Sequence, residues 1–188
     1  MSRGFYAKLA LTNIRKNAQT YYPYMLAGSA AVMMFYNMLY LLMSREIGAM
    51  HDSMAVRTVL FLGCIVTGFF SILLLLYINS FLIKRRKKEF GLFNILGMEK
   101  KHIARIMLIE TALTALVCIG VGILAGMLFG KLALLLLLNM LGMEASYGFD
   151  VPPRAVILTA VLFGAAFLVD LMYNVFQVHV AKPVELLK

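Results

Sequence analysis

Apolar residues in this chain gather into runs that outlast any strand and most soluble helices. A helix crosses a bilayer with about 20 mostly apolar residues, and four stretches qualify: 24–43, 56–83, 106–129 and 155–178. Tyr21, Tyr22 and Pro23 suit the start of the first span at headgroup level. Ahead of it, Phe5 and Leu9 with Lys8, Arg15 and Lys16 read as a short interfacial helix. The second run would make a rod of about 42 Å, longer than the roughly 30 Å hydrocarbon core, so it should tilt or protrude. The apolar run 106–141 is too long for one plain span, and Gly130-Lys131 offers a break. Residues 132–141 then form an outer helix at the interface or packed on neighbouring spans. Pro152 and Pro153 open the fourth span and Pro183 follows its end. The pattern predicts an all-α integral membrane protein: four transmembrane helices, with a short cytoplasmic helix between the second and third. No Ser/Gly-rich linker divides it. The divisions are a cytoplasmic or interfacial segment 1–23, a first span 24–43, a unit 56–178 and a cytoplasmic tail 179–188.

Composition agrees. Hydrophobic residues make up 62% and charged residues 14%, against roughly 45–50% and about 25% in soluble proteins. Disorder, collagen and disulfide scaffolds are excluded. The absence of Trp leaves interfacial anchoring to nine Tyr and to Lys and Arg. A net charge of +9 suggests nucleic acid only until the cations are placed. With the N-terminus inside, Arg3, Lys8, Arg15, Lys16, Lys84, Arg85, Arg86, Lys87, Lys88, Lys100, Lys101, Arg105, Lys182 and Lys188 are all cytoplasmic. Arg45, Arg57 and Arg154 lie outside, and Lys131 at the boundary. That asymmetry explains the basic pI through cytoplasmic retention of positive charge, with both termini inside and no nucleic-acid partner. The basic N-terminal segment and the long run after it favour a retained signal anchor over a cleaved signal peptide. Cys64 and Cys118 lie in apolar runs and are expected to be free and structural.

The inner loop 84–105 carries the most information. It opens K-R-R-K-K-E and continues F-G-L-F-N-I-L-G-M-E-K-K-H-I. Five consecutive cations set it against the inner headgroups, each worth about 1 kcal/mol of attraction to anionic lipid. Leu92, Phe93, Ile95 and Leu96 predict a short helix with an apolar face. Gly97 is placed for a left-handed C′ residue, with Met98 packing on Phe93 in a Schellman motif. Physical reasoning leaves two roles open: docking in another protein's groove or lying on the lipid surface.

The basic run, Glu89, Gly91 and Gly97 resemble the coupling segment of FtsX-like ABC permeases. The likeness extends to L-T-N-I-R-K-N at 11–17, to Gly120, Gly122, Gly126 and Gly130 in the third span, and to K-P-V-E-L-L-K at 182–188. The short outer loop 44–55 is most similar to the N-terminal half of Bce-type peptide-antibiotic resistance permeases; other branches carry a large domain there. The resemblance makes 56–178 the FtsX-like permease module and 84–105 its coupling segment. Glu89, Phe90, Gly91, Leu92, Phe93, Leu96, Gly97 and Met98 are then the residues that meet an ABC ATP-binding subunit. ATP would be bound by that partner, with no cofactor on this chain. The implied activity is removal or export of peptide antibiotics or lipid-linked cell-envelope substrates. The alternative is a non-transporting regulator coupling an ATPase to signalling or cell-wall enzymes. Implied partners are a second permease half or a second copy of this chain, a membrane histidine kinase, and membrane lipids of the bacterial cytoplasmic membrane.

Gly122, Gly126 and Gly130 recur every four residues, so one face of the third span admits close helix packing. A second membrane chain is the contact expected there. Asp170, with Tyr173 and Asn174 at i+3 and i+4, reads as an intramembrane polar contact in preference to a proton or gating group. Glu110, one turn beyond Arg105, suits a local ion pair, and Asn79 suits a cap or bridge. No P-loop, H-E-x-x-H or G-x-S-x-G occurs, and His51 falls outside while His102 and His179 fall inside. No catalytic role and no metal site is expected.

Overall fold

A computed structural model describes residues 3–48, 53–95, 100–142 and 151–180. Its elements are α1 (Arg3–Lys16), α2 (Ala18–Met43), α3 (Arg45–Gly48), α4 (Ser53–Ile95), α5 (Lys100–Met140) and α6 (Pro153–Val180). Four of these, α2, α4, α5 and α6, are long and apolar enough to cross a membrane.

The helix ends differ from the sequence reading in three places. The first spanning helix begins at Ala18, with Pro23 inside it and not at its start. Pro23 is past the first turn of α2, so it removes one backbone bond, to the Gln19 carbonyl, and its ring crowds that carbonyl. The helix of the second span continues through the basic run to Ile95, so the segment expected as a separate short helix is carried, as far as it is described, on the end of α4. Lys and Arg are good helix formers, and charge alone does not end a helix. Gly130 does not break α5, which runs unbroken from Lys100 to Met140. In a bilayer the backbone has no water to turn to, so a helical glycine keeps its hydrogen bonds. Leu134 and Leu138 are buried, so the distal part of α5 packs on the bundle as a continuation of the span. Gly142, at φ +67°, ends that helix in the left-handed region open to glycine.

The bundle is built around α2. It packs most extensively against α5 and then α4, while α6 packs chiefly on α5 and less on α2. Its buried positions Tyr24, Gly28, Val32, Tyr36 and Tyr40 recur every four residues, forming one i±4 ridge. The facing ridge of α5 contains Cys118, Gly122, Gly126 and Gly130. A methyl on Gly122 would lie 2.5 Å from Val32 Cβ, on Gly126 2.7 Å from Tyr36 Cδ1, and on Gly130 3.2 Å from Tyr40 Cδ1. Gly28 reciprocates, its missing Cβ making room for Cys118 Sγ at 2.9 Å. The pairs 28/118, 32/122, 36/126 and 40/130 advance together, so α2 and α5 run parallel in constant register. The glycine face is therefore filled by α2 of the same chain, and a second membrane polypeptide must use another surface.

α4 runs antiparallel to α2. Leu75 meets Gly28, Ser71 Oγ donates to Ala31 O at 3.4 Å, Gly68 takes the Phe35 ring, and Gly63 faces Met38. α6 closes the other side, with Phe163 edge-on to Phe35 at 5.8 Å between centroids. Outward faces of α4, such as Phe61, Ile65, Phe69 and Tyr77, are exposed as expected of a surface in lipid. Cys64 and Cys118 are both free and buried.

This packing predicts opposite results at two neighbouring glycines. Gly122→Ala should destabilise the bundle by about 1–3 kcal/mol, the usual cost of overpacking. Gly120→Ala, which meets nothing within 4 Å, should be neutral or gain about 0.5–1 kcal/mol of helix propensity. Thermal unfolding of the two variants in one detergent compares them.

Candidate functional site

Segment 84–105, expected from the sequence to couple to an ATPase, begins where α4 leaves the apolar zone. Arg85 folds back over the Phe81 ring, 4.7 Å from its centroid, so the second cation of the run packs one turn back on its own helix. Glu89, Phe90, Gly91, Leu92 and Phe93 follow on the same helical backbone; their side chains lie outside the described set. Leu96, Gly97 and Met98, and with them the expected Schellman ending, lie outside the described residues. α5 resumes at Lys100, so four residues join two long helices at this end. The apolar positions 92 and 93 are thus rigidly continuous with the spanning part of α4.

The polar residues inside the bundle converge above this segment. Glu110 of α5 is 1% exposed. Its Oε1 accepts from Asn13 Nδ2 of α1 at 3.0 Å, and its Oε2 accepts from the Tyr21 hydroxyl of α2 at 3.2 Å. Thr114 Oγ donates back to the Glu110 carbonyl at 3.0 Å. Glu110, expected to serve only a local pair, therefore ties three helices. The sequence reads Tyr21 as a headgroup-level anchor and Asn13 as part of a motif, and neither as a partner of Glu110, because nothing in type or spacing links them. The signal was the buried acid itself, since an ionisable group in a span needs partners from other helices.

Asn79 of α4 and Asn174 of α6 exchange a pair of hydrogen bonds, Nδ2 to Oδ1, at 2.9 and 3.0 Å. This satisfies both amides and fixes the register of α4 against α6. Asp170, one turn along α6, is fully buried beside Asn79, yet neither carboxyl oxygen has a hydrogen-bond partner of good geometry among the described residues. The interhelical bond expected of the pair Asp170 and Asn174 is thus made by Asn174. Tyr173 is 45% exposed and turns away. Tyr21, Tyr24, Asn79, Glu110 and Asn174 line a small cavity of about 10 Å³, roughly one water site. Among the described residues no group of three or more His, Cys, Asp or Glu is placed to hold a metal ion. Two hydrogen-bonded sets, one joining α5 to α1 and α2 and the other joining α4 to α6, thus flank one cavity at the end of the bundle next to segment 84–105.

A double-mutant cycle with Asn79→Ala and Asn174→Ala should give a coupling energy of about 0.6–1.7 kcal/mol, the range of interhelical hydrogen bonds in membranes. Unfolding in detergent measures it, and additive losses would show that the amide pair adds nothing.

Residues 58–178 match the family described as FtsX-like permease C-terminal. The chain is 29% identical over 182 residues to the ABC transporter permease YvcS of Bacillus subtilis strain 168, covering 96% of this chain and 28% of that protein. It is 29% identical over 171 residues to the bacitracin export permease protein BceB of the same organism, covering 89% and 26%. Against BceB of Halalkalibacterium halodurans it is 29% identical over 174 residues, covering 88% and 26%. The chain spans about a quarter of the length of these curated relatives.

Proposed function

Because the chain belongs to the FtsX-like permease family, we propose that it works as membrane machinery of an ABC transporter, driven by a separate ATP-binding subunit that docks on segment 84–105. The observation that carries this reading is the continuity of α4. A single helix of 43 residues, about 65 Å long at 1.5 Å per residue, joins the family's docking segment to the far end of the bundle. Movement imposed at Leu92 and Phe93 reaches the outer half without an intervening hinge. On this reading ATP stays on the partner, and this chain's part is mechanical: Phe93 and Leu92 receive the push, α4 carries it, the Asn79–Asn174 pair passes it to α6, and the packing of α4 along α2 passes it to the rest of the bundle.

The cargo proposed is a peptide antibiotic or a lipid-linked envelope substrate, after the relatives named for bacitracin export. The cation asymmetry supports cytoplasmic termini, with the α4–α5 connection inside. Because the glycine face of α5 is occupied by α2, the second permease half or second copy is proposed to meet this bundle on the exposed apolar face of α4.

Two experiments test this. Phe93→Asp, a charge on an aromatic anchor, should leave membrane insertion near normal and lower peptide-stimulated activity of the ATPase complex by tenfold or more. Full stimulated activity in that variant would refute docking through this segment, and an ATPase indifferent to every peptide antibiotic would favour a non-transporting regulator. For orientation, cysteines at positions 53 and 146 should react with an impermeant thiol reagent on intact cells, and one at position 2 should not. The opposite labelling would invert the topology.

A further inference from the structure

At the end of the bundle away from the coupling segment, a cavity of about 640 Å³ opens among α2, α3, α4 and α6. That is within the usual range of small-molecule sites. Its rim holds Arg45 of α3, Arg57 of α4 and Arg154 of α6, the three cations that the sequence places beyond the outer membrane surface. Three separate elements therefore bring guanidinium groups to one mouth. Glu46 is the single acid among the lining residues described.

The three arginine side chains are exposed, while the backbone beside two of them is anchored. Ile47 is fully buried and pins α3 beside Arg45, while Ala155 is fully buried and pins the start of α6 beside Arg154. Arg57 lies against Gly48, where a methyl would stand 2.6 Å from its Nη2. The N-terminus of the 28-residue α6 also opens here, adding the positive end of its dipole. Leu42, Met43, Val151 and Tyr40 add apolar surface to the same lining. Three guanidinium-bearing side chains and apolar surface in one lining match a phosphate joined to a hydrocarbon.

We propose that this cavity binds a phosphate-bearing amphiphile, the phosphate held by Arg45, Arg57 and Arg154 and the adjoining chain laid along Leu42 and Met43. The proposal rests on the orientation argued above only for which leaflet supplies the ligand. Binding itself is read in detergent, where sidedness plays no part, so the two fail separately.

Native mass spectrometry of the full chain with phosphatidic acid, and with diacylglycerol of the same acyl chains, tests it. The wild-type chain should retain phosphatidic acid at least tenfold more tightly than diacylglycerol. Arg57→Gln and Arg154→Gln should each weaken the tightest site by about tenfold, as expected for loss of a charge-assisted phosphate contact. Gly48→Ala keeps every charge but displaces Arg57, and should weaken the site several-fold. Lys8→Gln with Arg15→Gln removes two cations from the other end and should leave it unchanged. Displacement of the lipid by excess inorganic phosphate would show that the rim takes free phosphate as well; failure of displacement would assign the site to lipid. Equal retention by wild type and the two arginine variants, or an equal loss in the Lys8/Arg15 variant, would overturn the proposal.

Discussion

The bundle depends on the absence of side chains where α5 meets α2. Lipid tails are as apolar as leucine, so helices in a bilayer gain little from simply being hydrophobic; association comes from close packing and internal hydrogen bonds. Here Gly122, Gly126 and Gly130 let Val32, Tyr36 and Tyr40 settle onto the α5 backbone, and Gly28 does the same for Cys118. Four contacts in one constant register fix two helices in parallel over four turns. With α2 so held, its other faces become the seat for α4 and α6, through Leu75 and Ser71 on one side and Phe163 on the other.

This arrangement gives the long α4 something to work against. The family match covers residues 58–178 and so leaves out α2, yet α2 is the helix on which α4 and α5 chiefly pack. α4 lies along it on small residues, Gly63, Gly68 and Ser71, and joins α6 by the Asn79–Asn174 pair. Its remaining surface faces outward and its last turns extend toward the proposed ATPase. A lever needs a stiff arm and a fixed bearing, and the two kinds of contact supply them: steric fit along the apolar middle, and hydrogen bonds near the driven end.

Apolar run length alone located the four spanning helices, because a bilayer imposes a length that chance rarely supplies. Their ends were less legible. Gly130 read as a break because glycine destabilises helices in water, whereas α5 passes through it and uses the missing Cβ to receive Tyr40. The basic run read as the limit of the second span; it limits the apolar zone, and the helix itself continues. Spacing showed that the glycines shared a face, but only the fold showed that α2 covers it. The polar contacts divided in the same way. The oddity of Glu110, Asp170 and Asn79 in apolar surroundings was visible in the sequence. The partners of Glu110 and Asn79, namely Asn13, Tyr21 and Asn174, lie up to 97 residues away, and such pairings are set by packing alone. Arg45, Arg57 and Arg154 were visible one by one as outer cations, while their convergence on one cavity required α3 to be pinned by Ile47.

The central claim is that α4 moves as one stiff element between the ATPase and the outer end of the bundle. Spin labels at the exposed positions Val59 and Arg85 report on it, through the distance between them in the assembled complex with and without trapped nucleotide. The account predicts one narrow distance of about 39 Å, as for an unbroken helix, unchanged between the two states. A broad distribution, or a distance that shortens when nucleotide is trapped, would show that α4 bends, and would contradict transmission through it.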